Sequence, residues 1–133
     1  MEAAKSTEAG AAPDWRGIDH VQLAIPEGGE DLARSFYVGV LGLTEVPKPP
    51  ALAGRGGAWF EAGTTRIHVG VETSFAPARK AHPALLIAGL REFVAGSGLA
   101  VTWSDEIPGV ERCHVNDPFG NRIELVEVQG PAR

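Results

Sequence analysis

Arg66-Ile67-His68 and Arg122-Ile123-Glu124 stand 56 residues apart, as do Gly42-Leu43 and Gly98-Leu99, so one module is written twice in this chain. Both copies open with a histidine on an apolar run, Asp19-His20-Val21-Gln22-Leu23-Ala24-Ile25 and Ala81-His82-Pro83-Ala84-Leu85-Leu86-Ile87, and there the offset is 62. Copy one therefore carries six extra residues between its His and its Gly-Leu, most simply in the loop Pro26-Glu27-Gly28-Gly29. A unit of this size cannot bury its apolar face alone and packs against its twin. Pairing of the two copies then brings His20, His68, His82 and Glu124 together.

Each copy reads as strand, helix and three strands. Strand 19–25 leads to helix 30–41, where Leu32, Ala33, Phe36, Tyr37, Val40 and Leu41 form an apolar face at helical spacing. Gly42 ends it, because glycine takes the left-handed conformation without a Cβ clash. Strands 44–46, 58–61 and 66–72 follow, and residues 47–57, rich in Pro and Gly, predict a loop without helix or sheet. Copy two repeats the order with strand 82–87, helix 90–95 and strands 101–103, 110–115 and 122–128. Asn116-Asp117-Pro118-Phe119-Gly120-Asn121 reads as a tight turn, with Asp bonding the local backbone, Pro fixing φ and Gly taking positive φ.

The 133 residues supply one domain, with roughly 65–70% of the unfolded surface buried at this size. A net charge of −5 and a pI near 5.3 exclude a basic face for nucleic acid. No apolar stretch suggests a membrane span or a secretory leader, so a cytoplasmic protein is expected. The single Cys113 has no disulfide partner, and its neighbours form no cationic pattern that would mark a nucleophile, which predicts an inert strand thiol. Residues 1–16 are expected to form an N-terminal tail, 17–128 the domain with module one at 17–74 and module two at 80–128, and 129–133 a C-terminal tail.

On a strand, alternate side chains share a face, which groups His20 with Gln22, His82 with Ala84, and Glu124 with Arg122. Glu124, between Ile123 and Leu125, is a carboxylate on a half-buried strand and needs a compensating metal or cation. One divalent ion would satisfy three imidazoles and this carboxylate together.

Residues 17–128 resemble the vicinal oxygen chelate superfamily of glyoxalases, extradiol dioxygenases and bleomycin-binding proteins. Asp19-His20-Val21, Phe36-Tyr37, Leu41-Gly42-Leu43, His82 and Asp117-Pro118-Phe119-Gly120-Asn121-Arg122-Ile123-Glu124 carry the resemblance. It implies an α+β fold of two βαβββ modules forming a curved eight-stranded cup around a divalent ion: nickel, zinc, iron, manganese or cobalt. It carries the metal ligands onto His20, His82 and Glu124, with His68 where bacterial glyoxalase I has a Glu. His114 stands where extradiol dioxygenases have a Tyr, ten residues before the ligand Glu. In the family register it joins Arg112 on the cup face. The resemblance implies Glu124, His68 and His114 as catalytic acid–base groups and Gln22, Arg112 and Arg122 as substrate contacts.

The reaction expected first is glyoxalase-type lyase or isomerase chemistry on a small oxygenated substrate, through a metal-stabilised enolate. Ring cleavage by an extradiol-type dioxygenase with ferrous iron comes second. Metal-free sequestration of a small molecule, as in the resistance proteins, comes third. A homodimer is expected, because the rim of a curved sheet leaves edge strands that need covering.

Overall fold

A computed structural model describes residues 10–129. The predicted tails fall partly outside this range, at residues 1–9 and 130–133, and residues 10–20 carry no regular secondary structure. Module one runs β1 (Val21–Ile25), α1 (Glu30–Tyr37), β2 (Thr44–Val46), β3 (Ala58–Ala62) and β4 (Thr65–Val71). Module two runs β5 (Ala84–Leu86), α2 (Leu90–Ser97), β6 (Thr102–Ser104), β7 (Val110–Asn116) and β8 (Arg122–Val128). Both modules are βαβββ. The eight strands form two four-stranded mixed sheets, in the orders β1-β4-β3-β2 and β5-β8-β7-β6, each with one parallel pair at its edge.

Register repeats with the sequence. Gln22 pairs with His68 and Ala84 with Glu124, which reproduces the offsets of 62 on the opening strands and 56 on the closing ones. The extra length of copy one is divided between two places, contrary to the single-loop expectation. Pro26–Gly29 is somewhat longer than its counterpart, and the larger part is the turn 38–41 between the end of α1 and Gly42, for which α2 has no equivalent. α2 is capped by the left-handed Gly98 at φ 76°, whereas α1 ends at Tyr37 and not at the expected Leu41, and the left-handed Gly42 at φ 77° closes the turn that follows it.

Residues 47–57 also differ from the predicted plain loop, because Pro50–Arg55 form a 3₁₀ helix. Proline's fixed φ suits the first helical turn, and Leu52 N donates to Pro49 O at 2.9 Å. Gly56 and Gly57, at φ 74° and 81°, then turn the chain into β3. A Cβ on Gly57 would collide with the Val69 carbonyl oxygen, which cannot move without breaking the sheet. Gly57→Ala is expected to cost at least about 2 kcal/mol, from the left-handed backbone and this clash together. Urea denaturation should show a lower midpoint at unchanged m.

Alternation assigns the faces. Val21, Leu23 and Ile25 of β1, Phe60 of β3, and Ile67 and Val69 of β4 pack with Leu85, Cys113, Val115, Ile123 and Leu125 of the second sheet and with Phe36, Tyr37 and Leu90 of the helices in one core. Cys113 is fully buried there, and burial pushes its thiol up, as expected of an inert cysteine. The opposite faces carry the polar side chains, Gln22, His68 and Trp59 on the first sheet and Glu124, His114 and Arg112 on the second. Among the described residues no helix is long and apolar enough to cross a membrane.

Candidate metal centre

His82 enters the second sheet just ahead of β5. The Glu124 amide donates to the Pro83 carbonyl at 2.9 Å, so the histidine is held beside the carboxylate of β8. On the next strand His114 lies directly opposite Glu124 in the β7–β8 register. The donor atoms of His82, His114 and Glu124 all lie within 4.8 Å of one another. Glu124 Oε1 is 3.1 Å from His82 Nε2 and 3.6 Å from His114 Nε2. Its Oε2 accepts a hydrogen bond from Arg112 Nη1 at 3.2 Å.

The 3.1 Å spacing is that of two donors on one divalent ion, and the 3.6 Å spacing is slightly wider. Donors about 2.1 Å from a shared metal lie roughly 3.0–3.4 Å apart when the angle between them runs from square to tetrahedral. The tautomer fits as well. His82 Nδ1 is 2.8 Å from the Lys80 carbonyl, which only accepts, so the proton of a neutral ring sits on Nδ1. Nε2 then presents a lone pair to a carboxylate oxygen, an opposition that a cation between them relieves. Orientation of a ligating imidazole through its other nitrogen is the usual arrangement at metal sites.

Burial pushes the Glu124 carboxyl up, but the adjacent His82 ring and the hydrogen bond and charge of Arg112 outweigh it and hold the group below its ordinary value. His114 is held low by burial and by the nearby Arg122 cation. Arg122 and His114 line, with Thr102 and Asn116, a cavity of about 410 Å³.

The first sheet arranges its histidines differently. Trp59, His68 and His20 form a ladder, with Trp59 and His68 4.1 Å apart at 6° and His68 and His20 4.0 Å apart at 17°. An imidazole lone pair lies in its ring plane, and two nearly parallel planes this far apart do not converge on one ion. His20 Nδ1 is instead 2.9 Å from Asp19 Oδ2. His68 is buried, and burial with the neighbouring His20 lowers its pKa. Of the four ligands expected from the repeat, His82 and Glu124 thus lie together with His114, while His20 and His68 lie together with Trp59.

The expected substrate contacts are also divided. Gln22 is exposed and lies across Gly70 on the first sheet, Arg112 is bonded to Glu124, and Arg122 reaches the cavity. Two contributors were passed over in the sequence. Trp59 sits opposite His68 in the β3–β4 register, a relation visible only once the strands are paired. Glu106, in the loop before β7, accepts from Arg112 Nη2 at 3.0 Å.

Acid should loosen this arrangement. His68 and His114 both have folded pKa values below the ordinary imidazole value of about 6.5. As pH falls through that value the unfolded chain takes up more protons than the folded one, so stability drops. Glu124, also lowered, adds a loss of the same sign below its ordinary carboxylate range. Thermal melts of metal-free protein should show Tm falling steadily from pH 7.5 to pH 5, and a flat profile would contradict the assignment.

No family model matches the chain, and none of the curated proteins does. Solved structures do. A protein of Bacillus anthracis assigned to the glyoxalase family is 45% identical, with a TM-score of 0.84 over 89% of this chain and 99% of that one. Lactoylglutathione lyase of Agrobacterium tumefaciens shares the fold at 22% identity and a TM-score of 0.60, covering 80% of this chain and 91% of that one. An antibiotic-binding protein of a Streptomyces species shares it at 21% identity and 0.63, covering 86% and 100%.

Proposed function

Because the chain belongs to the glyoxalase/bleomycin resistance/dioxygenase superfamily, we propose that it is a metal-dependent enzyme of glyoxalase type, acting on a small substrate with two adjacent oxygens. The observation that carries this reading is the spacing of His82, His114 and Glu124 beside a cavity that Arg122 also lines. A bound divalent ion there supplies a Lewis acid for the substrate oxygens and for the negative charge that develops on them.

The chain's own groups do the rest. His82 and Glu124 hold the ion. His114, neutral at pH 7 and on the cavity wall, takes the proton from the carbon next to the substrate oxygens. Arg122 attracts an anionic substrate. Two fillings of the remaining coordination sites are distinguished by mutation. In one, His114 is itself the third ligand within the chain, and the acid–base role passes to Glu124 or His68. In the other, the chain is a homodimer and His20 and His68 of a second copy face His82 and Glu124. The exposed Ile18 and Leu86, 80% and 70% accessible near the edge strands β1 and β5, suit such a contact.

One observation favours a second reading. Two histidines and one carboxylate are the donor composition of non-haem ferrous oxygenases, so extradiol-type ring cleavage is the alternative. Metal analysis of the protein as purified comes first, followed by paired assays. Turnover of a hemithioacetal with nickel supports the lyase, and oxygen uptake with a catechol and ferrous iron supports the dioxygenase. Failure of every metal form, with tight binding of an organic ligand to metal-free protein, would establish a sequestering protein instead. Light scattering near 28 kDa rather than 14 kDa, with His20→Ala lowering metal affinity, supports the two-chain filling.

A further inference from the structure

We infer that Arg112 is a positioning residue, which holds Glu124 so that one carboxylate oxygen alone faces the imidazoles, and that it is not a substrate anchor. The inference rests on the metal reading above. Arg112 lies on β7 with its side chain only 16% exposed, and both terminal nitrogens are committed. Nη1 donates to Glu124 Oε2 at 3.2 Å and Nη2 to Glu106 Oε1 at 3.0 Å. Nε is fully buried and has no hydrogen-bond partner. A guanidinium whose two ends are each held by a protein carboxylate and whose Nε is shut from solvent has its charge and its orientation taken up within the protein.

The division of the Glu124 oxygens gives the role. Oε2 is taken by Arg112, and Oε1 is the oxygen 3.1 Å from His82 and 3.6 Å from His114. Glu124 therefore meets an ion through Oε1 only, with Oε2 held by one arm of the Arg112 fork while the other arm holds Glu106. Glu106 matters because an arginine beside a divalent ion repels it, and this second carboxylate offsets the charge. Its own position is set by Ser104, whose Oγ donates to Glu106 Oε1 at 3.3 Å. Orientation and repulsion act in opposite directions on metal affinity, so the sign of a mutation separates them.

The test is cobalt binding to the full chain, by calorimetry and by the visible absorption of the bound ion. Arg112→Met is expected to weaken binding by about 10–100-fold, the usual effect of removing a group that orients a ligand. The absorption should also lose intensity, because the freed carboxylate can bind through both oxygens and raise the coordination number. Arg112→Lys keeps the charge but loses the fork, and is expected to fall between Met and wild type. Wild-type or tighter affinity in Arg112→Met overturns the proposal, as does unchanged affinity with a raised KM, the mark of a substrate anchor. If the Met variant fails to fold, wild-type cobalt affinity in Arg112→Lys overturns it equally. A wild-type chain that takes up no cobalt removes the metal reading and this role with it, whereas loss of binding in Glu124→Gln but not in the Arg112 variants removes only the role.

Discussion

Glu124→Gln should lower metal affinity by more than the roughly 100-fold that marks the upper range for a merely orienting neighbour. Among His82, His114 and Glu124 it is the carboxylate that brings negative charge to a divalent ion, and glutamine keeps its shape while removing that charge. The metal-free protein should suffer as well. Arg112 would keep a neutral acceptor in place of a charged one, and a poorly paired cation in a site that is 16% exposed costs about 2 kcal/mol. Relief of the desolvation that burial imposes on the carboxylate recovers only part of this, since the adjacent His82 and Arg112 already outweigh burial in the folded chain. Calorimetric titration and thermal melts separate the two effects. Metal affinity within tenfold of wild type would rule Glu124 out as a ligand.

The division of the candidate site between two sheets shows what the sequence conveys and what it leaves out. Offsets of 56 and 62 translate directly into register, Gln22 with His68 and Ala84 with Glu124, because a strand repeats every two residues and hydrogen bonding converts spacing into pairing. The span of β8 and the glycine stop of α2 were legible for the same local reason, whereas α1 ends at Tyr37 and not at the expected Leu41. Which copies of these strands share a cavity was not legible. Periodicity assigns a residue to a face, and His20, His68, His82 and Glu124 all lie on the polar faces. How the two sheets are set against each other depends on the packing of Phe36, Tyr37, Leu90 and their neighbours, which leaves no periodic trace. His114 was placed on that face through the family register, and its direct pairing with Glu124 makes it a close neighbour of the carboxylate. Arg112 adds a further case, because a cation on a polar face reads as a substrate contact and periodicity does not give its acceptors, Glu124 and Glu106.

The turn 116–121, which alone says only that the chain reverses, carries the largest expected effect on stability. Asp117 is 4% exposed, and its two oxygens accept four hydrogen bonds: from Tyr37 Oη at 2.7 Å, Phe119 N at 2.9 Å, Asn121 N at 2.8 Å and Asn121 Nδ2 at 2.9 Å. Asn121 Nδ2 also donates to the Ala24 carbonyl at 2.8 Å, so the turn ties β8 of module two to β1 of module one. Tyr37, fully buried on α1, completes the tie, and burial together with the adjacent Asp117 carboxylate pushes its phenol far above the ordinary range. Asp117→Ala strands these donors in a dry environment, where each costs about 1–3 kcal/mol, though neighbours in one network do not add. A total near 4 kcal/mol places it among the severest single substitutions and should lower Tm by about 15 °C. Tyr37→Phe removes one bond of the set and should cost about 1–1.5 kcal/mol. If the network acts as a unit, Tyr37→Phe should cost almost nothing further in an Asp117→Ala background. Additive losses in that double-mutant cycle, or an Asp117→Ala Tm within 3 °C of wild type, would show that the two modules are held together by the apolar core alone.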